Sequence, residues 1–128
     1  MKHSKIAIIG AGIVGSTSAY ALILKKITAE IILLDINETR CHGEILDLSD
    51  AISFNGASLV RAGTAQEAAK ADIIIIAAGK AQNPGQTRQE LFAANKVIIS
   101  DIFTTIKPIN SDAIIIMVSN PLDSLTLL

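Results

Sequence analysis

Three groups of residues in this chain have types and spacings that could do chemistry. The first is Gly10-Ala11-Gly12-Ile13-Val14-Gly15, a G-x-G-x-x-G pattern, with Asp35 twenty residues after Gly15. Gly10 permits a tight turn, Gly12 lets backbone approach a pyrophosphate, and Gly15 lets a helix pack closely on a sheet. The N–H groups near Ile13 and Val14 would then face the phosphates at a helix N-terminus. Asp35 would accept hydrogen bonds from ribose hydroxyls and repel a 2′-phosphate, which favours NAD over NADP. A plain turn residue after a strand would look the same. Arg40 either reaches the adenosine side or sits exposed as an i,i+4 partner of Glu44.

The second group is the polar loop 79–87 (GKAQNPGQT) followed by Arg88. Thr87-Arg88-Gln89-Glu90 is a capping box, so Arg88 falls in the first helical turn, where a cation opposes the macrodipole. A helix built for stability alone would not place it there. The third group is Asn120-Pro121-Leu122-Asp123, which reads as an Asn N-cap with Pro at the first helical position. Asn120 also follows a strand, at the carboxyl end where open α/β sheets bind ligands.

Alternating elements must position these groups. Strands are expected at Lys5–Ile9, Glu30–Asp35, Ala57–Arg61, Asp72–Ala78 and Ala113–Val118. A helix is expected from Ile13 to Lys26. The next shows one apolar face in Cys41, Ile45, Leu48 and Ile52, with a turn at Asn55-Gly56. Thr64-Ala65-Gln66-Glu67 is another capping box. The helix after Thr87 should present Leu91, Ile98, Ile102 and Ile106 and end before Pro108. Wholly apolar strands alternating with helices imply a doubly wound α/β (Rossmann) domain. Its sheet is mostly parallel, with about five strands, and is covered on both faces.

The chain has 128 residues, half of them hydrophobic and only 3% aromatic, so residues 1–128 suit one domain with an aliphatic core. The net charge of −1 and the lack of a basic stripe argue against nucleic acid. Cys41 is the single cysteine, which excludes an internal disulfide and a CxxC metal site and fits the cytoplasm. Lys2, His3 and Lys5 before an apolar stretch, with Ala19-Tyr20-Ala21 behind, imitate a secretory signal. The glycines at 10, 12 and 15 argue against it. No apolar run approaches the ~20 residues of a membrane span.

The sequence resembles the lactate/malate dehydrogenase family over nearly its whole length. The resemblance rests on Gly10–Gly15 with Asp35, Gly43-Glu44-Ile45-Leu46-Asp47-Leu48, Ala78-Gly79, Gln82-Asn83-Pro84-Gly85-Gln86-Thr87-Arg88, and Val118-Ser119-Asn120-Pro121-Leu122-Asp123. Asp50 departs from the family, which often carries His there. The resemblance implies an NAD-dependent 2-hydroxy-acid dehydrogenase of glycolytic carbohydrate metabolism, of the lactate-forming kind, moving hydride between NADH and the pyruvate carbonyl in the intact enzyme. It implies that Arg88 polarises the substrate carbonyl from a mobile lid, residues 80–87, framed by Gly79, Pro84 and Gly85. It places Asn120 beside nicotinamide and substrate, with the backbones of Gly79 and Val118 lining the nicotinamide half. Gln82 stands where members acting on lactate carry glutamine and those acting on malate carry arginine. A neutral amide suits the methyl of pyruvate, whereas arginine suits a second carboxylate. The Lys80 side chain is expected in solvent.

The resemblance further implies a homo-oligomer in the intact enzyme, and a proton-relay His–Asp pair in sequence beyond the Ser-Asn-Pro segment. His3 and His42 are expected to take no part, His42 lying away from the crevice. The last helix is only begun at Leu128, so the chain is expected to be an excised piece lacking the substrate domain, catalytically dead alone. Two alternatives stand: a dehydrogenase for malate or another 2-hydroxy acid, and an NAD-binding module without catalysis. The Pro-Gly-x-Thr-Arg lid argues against NAD-dependent glycosidases.

Overall fold

A computed structural model of the chain describes residues 4–27, 29–55 and 58–128. In chain order the elements are β1 Ser4–Ile9, α1 Ile13–Leu24, β2 Ala29–Leu34, α2 Glu38–Asn55, β3 Leu59–Ala62 and α3 Ala65–Ala69. Then follow β4 Ile73–Ile76, α4 Arg88–Thr105, β5 Ile114–Met117 and α5 Leu122–Thr126. All four strand pairings are parallel, in the order β3-β2-β1-β4-β5. This is the expected doubly wound fold. Strand order reverses between β1 and β4, so the loops leaving those two strands diverge and open a crevice. Ile9 is level with Leu34 on one side and Ile76 on the other, which sets the three carboxyl ends at one height.

The sheet divides the core by strand periodicity. Ile6 and Ile8 join Ile31, Leu33 and Val60 against α1 and α2. Ala7 and Ile9 join Ile32, Ile74 and Ile76 against α3, α4 and α5. Each buried isoleucine contributes roughly 1.5–3 kcal/mol. The apolar face expected on α2 is present: Cys41 and Leu48 are buried, with Ile45 and Ile52 packed beside them. Burial pushes the Cys41 thiol up from its ordinary 9.0, and the nearby Asp35 carboxylate pushes it further.

Several boundaries differ from expectation. α1 stops at Leu24, short of Lys26, because Lys26 turns left-handed (φ 54°). Its N–H donates to the Ile23 carbonyl and that of Ile27 to Leu22, a Schellman closure made without glycine. β4 is shorter than Asp72–Ala78, although the N–H groups of Asp72 and Ala77 still donate to Lys5 and Ile9. Asn55 ends α2, while Gly56 of the expected turn, Ala57 at the expected start of β3, and His3 lie outside the described residues.

Both capping boxes form. Thr64 accepts from the Glu67 N–H and Thr87 from that of Glu90, each at 3.2 Å, and both glutamates return the bond at 2.8 Å. The face of α4 is rotated from the expected one. Leu91, Asn95, Ile99 and Ile106 are buried, whereas Ile98 and Ile102 are half-buried beside the crevice. At α5 the expectation fails: Pro121 is the N-cap and Leu122 the first helical residue, with no side-chain cap bond. Asn120 therefore lies outside the helix, where its carbonyl accepts from Asn95.

Candidate functional site

Gly10 has φ +107°, and a Cβ there would lie 2.6 Å from the Ala78 nitrogen. The backbones just past the ends of β1 and β4 thus touch at the base of the crevice, before the two loops part. A Cβ on Gly15 would collide with the Gly10 carbonyl oxygen, so α1 packs directly on the turn. Gly12 is different: a Cβ there meets nothing within 4 Å. Internal packing does not require its glycine, whereas close approach of a ligand to the backbone does. Gly12 also N-caps α1 without a side-chain bond. The N–H groups of Ile13 and Val14 have no partner among the described residues. Both side chains are exposed, at 85% and 51%. The result is an open helix N-terminus whose N-cap, Gly12, lines the crevice, an end suited to an anion.

Asp35 directly follows β2, one residue beyond the strand end rather than in it as expected, with both carboxylate oxygens engaged. Oδ2 accepts from the Ala11 N–H at 2.7 Å and Oδ1 from the Asn37 N–H at 2.8 Å. The two readings of Asp35 are therefore compatible. It is a turn residue that also braces the glycine loop, and each oxygen keeps a lone pair for a ribose hydroxyl. Gly10, Gly12, Asp35 and Gly79 line one cavity of about 1100 Å³, with Ile98 and Ile102 as apolar walls. Arg40 and His42 border the same cavity. For His42 this corrects the expectation: α2 begins four residues after β2, so its first five residues, Glu38 to His42, all reach the cavity.

At the other end, Arg88 is the first residue of α4, exposed and without an ion pair or side-chain hydrogen bond among the described residues. It lines a second cavity of about 320 Å³ with Phe92 and Pro121–Ser124. The fold thus brings Arg88 beside the segment after Asn120. Gln82 is exposed and lines neither cavity; its amide donates to the Gln86 carbonyl at 2.7 Å. Gln86 also closes the loop, since its side chain accepts from the Asn83 N–H at 3.0 Å and its own N–H donates to Asn83. The Lys80 side chain shows no hydrogen bond or ion pair among the described residues, as expected. Asn120 and Val118 are exposed at the end of β5. A family model described as the lactate/malate dehydrogenase NAD-binding domain matches residues 4–128.

The chain belongs to that family. L-lactate dehydrogenase A of Rhizopus oryzae is 45% identical over 97% of this chain. Among solved structures, a minor L-lactate dehydrogenase from Enterococcus mundtii in ligand-bound form superposes with TM-score 0.85 at 36% identity over 93% of this chain. The malate dehydrogenase of Cryptosporidium parvum has the same TM-score, 0.85, at 30% identity over 94%. This chain spans 38% of the length of each.

The residues present fit an NAD molecule. Gly12 leaves room where a side chain would stand, the α1 N–H groups are free, and Asp35 retains acceptor capacity. In this NAD-binding domain the sequence reading missed Asn95. It lies on the apolar stripe of α4, four residues after Leu91, and is 1% exposed. A polar residue on such a stripe was the available signal.

Proposed function

We propose that this chain is the cofactor-binding part of an NAD-dependent L-lactate dehydrogenase. The observation that carries the reading is Arg88, an exposed cation with no ion pair among the described residues, on the first residue of a capped helix and lining a cavity shared with the segment after Asn120. Bound NADH supplies the hydride-donating ring. This chain's residues do the rest of their half. The N–H groups of Ile13 and Val14 hold the pyrophosphate, Gly12 lets it approach, and Asp35 holds the ribose. The backbones of Gly79 and Val118 line the nicotinamide end. Arg88 polarises the substrate carbonyl, where such a donor contributes a few kcal/mol to the transition state. Asn120 orients the same oxygen. Gln82 faces the substrate methyl once the 80–87 lid closes, which requires its bond to Gln86 to break.

A proton donor for the developing alkoxide and a binding group for the carboxylate lie, on this reading, in the remainder of the protein. The 128-residue chain should therefore not turn over pyruvate with NADH. No described helix is long and apolar enough to cross a membrane. A cytoplasmic homo-oligomer fits this enzyme class. The malate reading is favoured by the equal TM-score of the malate dehydrogenase and opposed by Gln82.

Replacing Gln82 by Arg in the intact enzyme decides between them. An arginine facing a methyl is a desolvated, unpaired charge; facing a carboxylate it gains a bidentate pair. If each effect contributes about 2–3 kcal/mol, kcat/KM for oxaloacetate over pyruvate rises by roughly a thousandfold or more. A ratio that barely moves while Arg88→Ala abolishes activity removes the lactate assignment. No activity in the intact parent leaves an NAD-binding module without catalysis.

A further inference from the structure

Two polar side chains are buried among the described residues, Asn95 at 1% and Ser119 at 8% exposure. Both lie where the carboxyl ends of β4 and β5 meet. Ser119 Oγ donates to the Ala78 carbonyl at 2.6 Å. Asn95 Oδ1 accepts from the Lys80 N–H at 2.8 Å, and its Nδ2 donates to the carbonyls of Asn120 at 2.7 Å and Lys80 at 3.2 Å. Turning the amide over would set a donor against an N–H and an acceptor against two carbonyls, so its orientation is fixed by its partners. The amide lies flat on Gly79: a Cβ there would stand 3.2–3.3 Å from its atoms.

An aliphatic core has no packing need for a carboxamide, and a buried amide is tolerated only when its hydrogen bonds are made. Leucine would fill the α4 stripe as well. What leucine cannot do is hold two loops that leave different strands. Lys80 is the root of the lid, and Asn120 precedes the turn into α5.

We infer that Asn95 is a positioning residue that ties the root of the lid to Asn120, so that lid and nicotinamide-side groups keep one fixed relation. The inference rests on the proposed cofactor reading for its ligand and on geometry for the brace. Asn95 touches no reacting atom; it acts through Lys80, Gly79 and Asn120.

The test uses the 128-residue chain, two ligands and one local probe. ADP-ribose reports the adenosine half alone, and NADH adds the nicotinamide. Asn95→Leu should weaken NADH about tenfold and change ADP-ribose less than twofold, while amide exchange at Lys80 speeds up at least tenfold. Should Asn95→Leu not fold, Asn95→Asp keeps the shape and the acceptor for the Lys80 N–H but loses both donated bonds. It should show the same split between ligands without faster exchange at Lys80. Equal weakening of both ligands makes Asn95 a general stabiliser and overturns the inference, as does unchanged Lys80 exchange in a folded leucine variant. A parent chain that binds neither ligand sinks the cofactor reading, and Lys80 exchange then judges the brace by itself.

Discussion

At the β1–β2 end of the crevice, the groups that would hold a dinucleotide are backbone N–H donors and one carboxylate already locked by two hydrogen bonds. At the β4–β5 end, the groups that would meet the substrate are long, exposed side chains, Gln82 and Arg88, on a loop and a helix start. The first end sits on central strands. The second leans on β5, an edge strand whose Ile114, Ile115 and Ile116 are 60%, 41% and 43% exposed. Cofactor recognition is therefore built into this domain's own packing. On the proposed reading substrate recognition is not, because Gln82 and Arg88 would converge with groups outside residues 1–128 only when the 80–87 loop closes.

The largest expected effect breaks the rigid end. Gly15→Ala drives a Cβ into the Gly10 carbonyl oxygen and should destabilise the fold by about 1–3 kcal/mol or more. Gly12→Ala meets no neighbour at φ −73° and should cost at most about 1 kcal/mol as a poorer N-cap. Its penalty should appear in NADH binding instead. Thermal melts and NADH titrations of both variants check the contrast. A Gly12→Ala chain that loses stability as Gly15→Ala does, and binds NADH normally, would make Gly12 a packing residue.

Asp35→Ala sharpens the same end. It removes a brace on Ala11 and the acceptor for a ribose, each hydrogen bond to a charged group being worth about 1.5–3 kcal/mol. NADH affinity and melting temperature should fall together. A fall in melting temperature with unchanged affinity leaves Asp35 only its turn role.

The smallest effect lies away from both ends. The Arg61 guanidinium beside Glu30 holds that carboxyl below its ordinary 4.5, with Lys5 assisting. A depressed folded value means the contribution is present above about pH 4.5 and is lost as pH falls through it. Arg61 is a third exposed, so the contribution is under about 1 kcal/mol. Denaturant melts between neutral pH and pH 3 should show Arg61→Gln losing less stability on acidification than the parent. Equal losses would assign the acid sensitivity to other carboxyls.

What the sequence made legible was local chemistry. Thr64…Glu67 and Thr87…Glu90 announce their helices because each box satisfies its own N–H groups. Gly10–Gly15 with Asp35 is legible because phosphate and ribose impose fixed spacings. Asn95 was not legible, since its partners Lys80 and Asn120 are 15 and 25 residues away and come together only in the fold. Asn120 misled for the same reason. Its type and the following proline satisfy a local N-cap rule, yet the helix starts one residue later. Gln82 likewise pairs with Gln86 in a turn that the bare loop composition does not reveal.

Calorimetric titration of the 128-residue chain with NADH and NADPH tests the central claim most directly. A complete adenosine end and an incomplete substrate end predict weak but measurable NADH binding, with NADPH weaker because its 2′-phosphate faces Asp35. A folded chain that binds no NADH, or binds NADPH as tightly, would contradict it.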